Sequence, residues 1–533
     1  MKNNRLNLAK ITSSQNHWGK SISKEVLNNF KDCNLYTCAA GISPSGIVHF
    51  GNFRDVITSY AIYSVLKSEG KNARCIFSWD NFDRFRKVPA NVPANFEEHI
   101  GKPLSAIPSP VLGFDSYAEY FQKPFEEAMS ALGITLEYID ETKEYKSGRY
   151  DEAIFHALKN RKEIAKIMLS FMTEKGKQEG GIIEEEYIEN YYPISVYSRF
   201  NGTDITKITN YNGESSITYS CIKTGNIEVV DLSKDRIAKL AWKIDWPMRW
   251  KAESVVFEPG GHDHASPGGS YDVSSAVAEK IFGIDPPMFA EYKFVGLQGV
   301  GSKMSGSKGN AVSPMELLDI YEPTLLKWLY FRKRPDQPFS LAFDSEIYRQ
   351  YDEFDREVSS NPKSDDLILS GYEKNENPIP FKQAVALGQI TQWDDTKTLE
   401  LIADLKAGYN ESSTKIRLKL AKNWLEKYNS EEIIKLRDSL NIEYAKSLSE
   451  ESKNQIIQLK EALKKEYDSI EKLEELIYNI PKDPKLTDKE NAPAQKTFFK
   501  HLYNLLIDRD AGPRLSTFLW AIPRDKSIKL LSI

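Results

Sequence analysis

Cysteine is scarce in this chain: Cys33, Cys38, Cys75 and Cys221 are the only four in 533 residues. They show no repeated close spacing, so no disulfide framework is expected, and a reducing cytoplasm is the simplest setting. No apolar run approaches the roughly 20 residues that cross a bilayer. The opening MKNNRLNLAKITSSQNHWGK lacks the apolar stretch of a secretory signal, and no membrane role is expected. Positive charge is not in excess, since 71 Lys and Arg meet 76 Asp and Glu for a net charge of -5. That argues against non-specific nucleic-acid binding, and DNA is not an expected partner. A local basic surface for one folded RNA stays open. Internal repeats and low-complexity tracts are also missing. What is present, 41% hydrophobic and 28% charged residues in 60.8 kDa, suits a globular protein too long for a single core.

The first clear unit runs from about Leu35 to Trp79. Leu35–Ala40 (LYTCAA) reads as a buried strand and GISPSG after it as a turn-rich loop. Val48, Val56, Ile57, Tyr60, Ala61 and Leu66 then recur near the helical period, and Gly70 sits where a helix ends. Ala73–Trp79 (ARCIFSW) reads as a second buried strand. Strand, helix, strand with short links predicts parallel strands joined by a right-handed crossover. A mixed, largely helical stretch follows, then short β-prone runs from Tyr191 to Asp231. Strand-like runs return near Ser254–Phe257 and Phe294–Leu297, so the sheet is expected to be interrupted and resumed. From about Ile347 onward the pattern is helical, with long stripes over Lys453–Ile480 and Ala494–Ile507 that read as the packing faces of a bundle.

Two segments look suited to a nucleotide. Ser43–Asn52 (SPSGIVHFGN) lies where a strand hands over to a helix, a junction that offers free N–H groups and a positive dipole end to phosphate. Pro44, Gly46 and Gly51 shape the loop, and His49 and Asn52 can donate hydrogen bonds. A tight turn with a capping histidine is the rival explanation. Gly301–Gly309 (GSKMSGSKG) holds Lys303 and Lys308 with Met304, Ser305 and Ser307. It is not a P-loop, because Ser307-Lys308 reverses the required order. Its lysines could neutralise a triphosphate as a bond breaks; a solvated basic loop would also account for them.

Together the two segments resemble the paired signatures of the class I aminoacyl-tRNA synthetases. His49-Phe50-Gly51-Asn52 is similar to the His-Ile-Gly-His motif, and Lys303-Met304-Ser305-Gly306-Ser307 to Lys-Met-Ser-Lys-Ser, with Gly306 at the second lysine's place. Further blocks resemble one subgroup, the class I lysyl-tRNA synthetases: AGISPSGIVHFGN, SWDNFDRFRK, WKIDWPMRW and EPGGHDHASPGGSYD, with Gly512-Pro513-Arg514-Leu515 near the end. The resemblance spans roughly residues 30 to 520.

It implies an α/β fold: a Rossmann-type parallel-sheet catalytic domain, an inserted domain, and an all-α C-terminal anticodon-binding domain. The expected segments are 1–115 for the first half of the Rossmann domain and 116–240 for the insertion. The second half then takes 241–300, the KMSGSK loop and stem-contact region 301–346, and the helical domain 347–533. The implied reaction is ATP-dependent activation of L-lysine, with Mg²⁺ on the phosphates, and transfer to tRNA(Lys). His49, Asn52, Lys303 and Lys308 carry the catalysis, and Pro44, Gly46, Gly51, Gly268, Gly269, Asp272, Met304, Ser305 and Ser307 join them around ATP. Gly41, Ser43, Phe85, Asp245, Trp246, His264 and Tyr292 form the implied lysine pocket. Asp80, Asp83, Asp245, Asp263 and Asp272 supply carboxylates for its ammonium group. A synthetase for another amino acid such as glutamate would need a fixed arginine, for which Arg84, Arg86 and Arg249 are available. A nucleotidylyltransferase would share the sheet and a similar first signature, and a non-catalytic tRNA-binding protein is a third rival.

One part of the family pattern is broken. Relatives carry a four-cysteine zinc ribbon in the insertion, and the matching stretch Val196–Gly225 keeps only Cys221. Ser198, Asn201 and Thr224 stand near the other ligand positions. A single thiolate cannot make a structural zinc site. The hairpin is expected to hold its shape without zinc, by packing of Tyr197, Phe200, Ile205 and Tyr219. His262, Asp263 and His264 are not expected to bind a metal either.

Overall fold

The run Tyr36–Ile42 (β1) is apolar almost throughout and buried along most of its length, the mark of a strand covered on both faces. In the computed structural model, which describes residues 4–12, 16–299, 312–373, 377–405, 408–465 and 467–533, β1 lies at the centre of a five-stranded parallel sheet. The chain climbs through α1 (Phe50–Ser68) to β2 (Ala73–Trp79), which pairs with β1 from Tyr36 opposite Ala73 to Ile42 opposite Trp79. Phe53, Val56, Ile57, Ala61, Ile62 and Leu66 of α1 are buried, and each of the larger side chains contributes roughly 1.5–3 kcal/mol. Gly70, at φ +75°, ends the helix as its sequence position predicts.

The sheet then extends further than the sequence indicates. Helix α2 (Tyr117–Ala131) leads to β3 (Glu137–Asp140), which pairs in parallel with β2. Both fall within the 116–240 segment expected to be the insertion, so the insertion begins only after Asp140. The strand is short, and Ile139 is its one buried residue, which leaves almost no strand signal in EYID.

Inside the insertion, helices are followed by β4 (Ile194–Val196), β5 (Thr206–Tyr211), β6 (Ser216–Cys221), β7 (Ile227–Asp231) and β8 (Ala238–Leu240). Strands β4 and β8 pair antiparallel, and β5, β6 and β7 form a separate antiparallel sheet. Tyr197 and Tyr219 are buried there as expected, together with Ile217, Cys221 and Val230. Phe200 is not part of that core: it is 43% exposed. It follows Arg199 in a turn that faces solvent. Asn201 Nδ2 donates to Cys221 Sγ at 3.3 Å, so the position matching a lost ligand is a hydrogen-bond donor to the surviving thiol. One sulfur with amide and hydroxyl neighbours does not fit a structural zinc ion.

Helix α3 (Trp242–Glu253) returns the chain to the main sheet at β9 (Val255–Gly261), beside β1. Helix α4 (Ser270–Val277) and β10 (Met288–Tyr292) follow, giving the order β10-β9-β1-β2-β3. The run Phe294–Leu297 does not rejoin this sheet. Its strand, β11 (Val295–Gln298), pairs with β12 (Phe339–Ala342), and Phe294 is 83% exposed. The returning strand is β10, whose Pro286-Pro287 entry and Glu291 mask its apolar character.

The chain divides into two compact units, Met1–Leu341 with Asn361–Tyr372, and Ala342–Ser360 with Glu373–Ile533. The second starts close to the expected 347, but residues 361–372 pack with the first. It is built of helices around a core that includes Trp424 and the buried Arg417, whose guanidinium meets Asp355 at 2.6 Å. The stripe over Lys453–Ile480 is two helices, Glu450–Leu463 and Ile470–Asn479, because Ser469 caps the second. No helix among the described residues is long and apolar enough to cross a membrane.

Candidate active site

The order of strand addition reverses between the parallel neighbours β1 and β9: from β1 the chain moves to β2 on one side, and on the other side β9 is reached only after the insertion. The carboxyl ends of these neighbours frame a crevice, the usual ligand position in an open parallel sheet. Gly41 is the penultimate residue of β1 on one side, and Gly260 and Gly261 end β9 on the other.

His49 is the N-cap of α1. Its Nδ1 accepts the Gly51 N–H at 3.0 Å, and Asn52 Oδ1 accepts the His49 N–H at 3.2 Å, a reciprocal capping box. These bonds fix what the two side chains offer outward. With Nδ1 engaged as acceptor, the imidazole proton sits on Nε2; with Oδ1 engaged, Asn52 presents Nδ2. Burial lowers the His49 pKa, which keeps the ring neutral. Gly51 makes this possible, because a Cβ there would lie 2.8 Å from the imidazole. His49, Asn52, Ser43 and Gly46 line a cavity of about 360 Å³ whose far wall carries Asp83, Arg84 and Arg86. Two neutral donors at a helix N-terminus suit phosphate oxygens. Pro44 is buried beneath the loop. Lys303, Met304, Ser305, Ser307 and Lys308 lie outside the described residues. Val312 O accepts the Phe50 N–H at 3.0 Å, which ties Val312 to the start of α1.

Behind the cavity wall runs a buried ionic network. Ser43 Oγ donates to Asp83, Lys239 Nζ bridges Asp83 at 2.9 Å and Asp245 at 3.2 Å, and Arg249 meets Asp80 at 2.6 Å, Glu141 at 3.2 Å and Asp245 at 3.2 Å. Four carboxyls thus face two cations. Burial pushes Glu141 up to about 8 against the pull of Arg249. Burial would raise Asp83 as well, but Lys239 and the bonds from Ser43 and Lys239 outweigh it and hold this carboxyl below its usual range. Asp245, placed by resemblance in the lysine pocket, is fully buried and satisfied by Lys239, Arg249 and the Tyr145 hydroxyl. It holds Lys239 and Arg249 in place rather than offering a free carboxylate. Arg249, an arginine that an acidic substrate would require, is committed in the same way.

Two half-buried carboxylates beside the crevice, neither with an ion pair among the described residues, are ones that sequence reasoning misses. Asp55, on α1, accepts the Gly41 N–H at 3.4 Å, and Glu258, on β9, accepts from Trp250 Nε1 at 2.7 Å. Burial, and then the charge of Glu258, raises Asp55 well above the carboxylate range. Burial pushes Glu258 up to about 7. Asp55 is three residues beyond Asn52 on α1, so helical spacing from the signature would have flagged it.

Aromatic residues wall this side. Trp246 is 4% exposed and stacks on Trp242 at 4.9 Å, with His264 at 5.6 Å; burial lowers the His264 pKa. Tyr292 closes β10 opposite Gly261. Phe85 does not join them. It is wholly buried against Tyr117 (ring centroids 5.0 Å) in a cluster with Phe96, Leu104 and Phe121, and has no surface to give a ligand.

Beyond β9, Asp272 Oδ2 accepts the Gly268 N–H at 2.8 Å, and its Oδ1 meets Arg5 at 2.8 Å. Asp272 therefore braces the Gly268-Gly269 loop instead of presenting both oxygens to a ribose. Arg5, unremarked in the sequence, also donates to the carbonyls of Ala265 and Ser266. It is delivered by a segment running parallel beside β10, where Leu6 N–H donates to Phe289 O and Phe289 N–H to Asn4 O, both at 2.9 Å. No group of three His, Cys, Asp or Glu side chains able to hold a metal occurs among the described residues, the His262–His264 stretch included.

A family model described as tRNA synthetases class I (K) matches residues 16–375. A lysine--tRNA ligase of Streptomyces coelicolor is 34% identical, covering 92% of this chain and 93% of the relative. One from Thermococcus kodakarensis is 33% identical over 97% of this chain and 99% of its own length. Among solved structures, a glutamate-tRNA synthetase from Elizabethkingia anophelis aligns over 93% of this chain and 98% of its own, with 13% identity and a TM-score of 0.47. With two thirds of the chain matched by the family model and near full-length relatives above 30% identity, the chain belongs to the class I (K) family of tRNA synthetases.

Proposed function

We propose that this enzyme activates L-lysine with ATP and transfers it to the terminal adenosine of tRNA(Lys). The observation that carries the choice of lysine is the Asp55–Glu258 pair, two carboxylates near the β1–β9 crevice that lack an ion pair among the described residues. Each charge is costly there until an ammonium group arrives. Ser43 and Asp83 stand at the cavity for the α-ammonium group, Asp55 and Glu258 for the side-chain one, and Trp246, His264 and Tyr292 sheath the stem between them.

In the first step a lysine carboxylate oxygen attacks the α-phosphorus of ATP, and the bond to the β-phosphate oxygen breaks as pyrophosphate leaves. His49 Nε2–H and Asn52 Nδ2 donate to phosphate oxygens as charge builds, and Lys303 and Lys308 complete the set. Mg²⁺ enters as the companion of ATP. No protein nucleophile is needed, since positioning and electrostatics suffice. In the second step a ribose hydroxyl of the tRNA end attacks the aminoacyl carbonyl and AMP departs. The helical unit reads the anticodon, and the reaction belongs to the cytoplasm.

The test is aminoacylation of total tRNA with ATP, Mg²⁺ and each labelled amino acid in turn. Charging with lysine alone is expected. Charging with glutamate would overturn the roles given to Asp55 and Glu258, and no charging with any amino acid would overturn the activity.

A further inference from the structure

One cation in the insertion stands where an apolar residue would be expected. All three residues of β8 are buried, and the middle one is Lys239, 6% exposed and opposite Ser195 of β4. Its Nζ meets Asp83 at 2.9 Å and Asp245 at 3.2 Å, and lies over the Tyr145 ring at 5.7 Å from the centroid. The Tyr145 hydroxyl donates to Asp245 and accepts the Leu240 N–H at 3.3 Å, which fixes the strand beside Lys239. Just past β4, the Tyr197 hydroxyl donates to Phe82 O at 2.6 Å. The β4–β8 pair therefore grips the chain beyond β2 at two successive residues, Phe82 and Asp83.

Stability does not account for this arrangement. Taking an ammonium group out of water is costly, and apolar packing often serves a core as well as a buried ion pair does. The charge pattern points to the cavity instead. Burial raises Glu141 to about 8, which leaves it neutral at neutral pH, and three carboxyls, Asp80, Asp83 and Asp245, then face Lys239 and Arg249. Of these acids and bases, Asp83 alone lines the cavity, together with Ser43. Negative charge left over in the network can therefore be met from outside at that carboxylate. Its Oδ1 is held by Lys239 and its Oδ2 by the Ser43 hydroxyl, two bonds that set the plane of the group. A carboxylate has about four acceptor sites, so each oxygen keeps one for a ligand.

We propose that Lys239 is the positioning residue of the α-ammonium subsite: carried in by the insertion, it aims the Asp83 carboxylate into the cavity without itself touching the substrate. Removing it leaves burial to act on Asp83 with its nearest cation gone, and the carboxyl takes up a proton or turns from the cavity. Recognition of the α-ammonium group then depends on the insertion, while recognition of the side-chain ammonium group, across the crevice, does not. The proposal rests on the reading of Ser43 and Asp83 given above.

The experiment measures competitive inhibition of L-lysine charging by ε-aminocaproate, which lacks the α-ammonium group, and by L-norleucine, which lacks the side-chain one. Full-length wild type, Lys239→Met and Lys239→Arg are compared. Wild type should bind ε-aminocaproate about 100-fold more weakly than L-lysine. Lys239→Met should raise the KM for L-lysine about 20-fold and leave the inhibition constant of ε-aminocaproate unchanged, so that this preference shrinks to about fivefold. Its preference for L-lysine over norleucine should stay within about twofold of wild type, and the KM for ATP should not move. Lys239→Arg keeps the charge and should recover most of the lost preference. A Lys239→Met enzyme that keeps the wild-type preference, or that weakens ε-aminocaproate as much as L-lysine, would overturn the role. Should that variant not fold, Tyr197→Phe cuts the second tie to the same chain: about a threefold loss of the α-ammonium preference is expected, and an unchanged preference overturns the role. A wild type that charges L-lysine but binds ε-aminocaproate equally well would remove the subsite itself, and one that charges no L-lysine would remove the parent reading.

Discussion

Arg5 and Asp272 meet at 2.8 Å, and through that pair the first described segment of the chain reaches the loop after β9. Both side chains are about a quarter exposed, so the contact contributes roughly 1 kcal/mol. Its effect is directional, since the same carboxylate holds the Gly268 N–H and the same guanidinium holds the Ala265 and Ser266 carbonyls. Arg5→Ala should therefore loosen the adenosine side of the crevice alone. Initial rates at varied ATP and lysine should show the KM for ATP rising about three- to tenfold, with kcat and the KM for lysine near wild type. A matched rise in both KM values would mean that Arg5 only supports the fold.

The close approach of Gly51 to the His49 ring separates stability from activity. Gly51→Ala puts a methyl 2.8 Å from Cε1 and Nδ1, so the ring must leave its cap. Alanine also favours the helix, and the net change in stability should stay within about 1 kcal/mol. The kcat should fall by roughly 10²-fold, as it does when a preorganised donor is lost. His49→Ala should do the same. Thermal melts beside single-turnover rates check this, and a Gly51→Ala enzyme with wild-type rate would remove the donor role from His49.

Much of this is legible in the residues themselves. LYTCAA and ARCIFSW are continuous apolar runs, and burial on both faces of a parallel sheet requires that pattern. The His49–Asn52 turn carries its own capping chemistry. What escapes is whatever depends on distant chain meeting distant chain. EYID becomes a strand only because β2 lends it an edge, and Asp245 looks like a free ligand until Lys239 and Arg249 close on it. Glu258 is one acid among many until Trp250 and Asp55 surround it. Arg5 sits in an unremarkable polar stretch, and its partner lies 267 positions away in the numbering.

Glu258 makes lysine binding dependent on pH. Burial raises its folded pKa to about 7, above the unfolded carboxylate value, so the folded protein holds the proton more tightly. Its contribution to stability is therefore present at low pH and declines as pH rises from about 4.5 to about 7. Ligand binding runs the other way, because an ammonium group binds the ionised pair. The KM for lysine should fall as pH rises from about 6 to about 8, and Glu258→Gln should flatten that slope and raise the KM throughout. The KM for ATP should not follow. A lysine KM independent of pH in the wild type would take Glu258 out of the substrate site.

Cys221 tests how the β5–β6–β7 module is held. The thiol is buried with Asn201 donating to it, and although burial favours the neutral form, hydrogen bonds from Ser198, Thr224 and neighbouring N–H groups lower it to about 7. A sulfur saturated by donors from its own turns has its charge compensated without an ion. The core beneath it, with Tyr197, Ile217, Tyr219 and Val230, supplies the cohesion. Purified full-length protein should carry substoichiometric zinc by elemental analysis, and its melting temperature should not move with a strong chelator. Cys221→Ser, which keeps a hydrogen-bonding atom in place, should leave the rate of lysine charging near wild type. A melting temperature that drops on chelation and recovers with added zinc would show that the module depends on a metal held by ligands other than a thiol cluster.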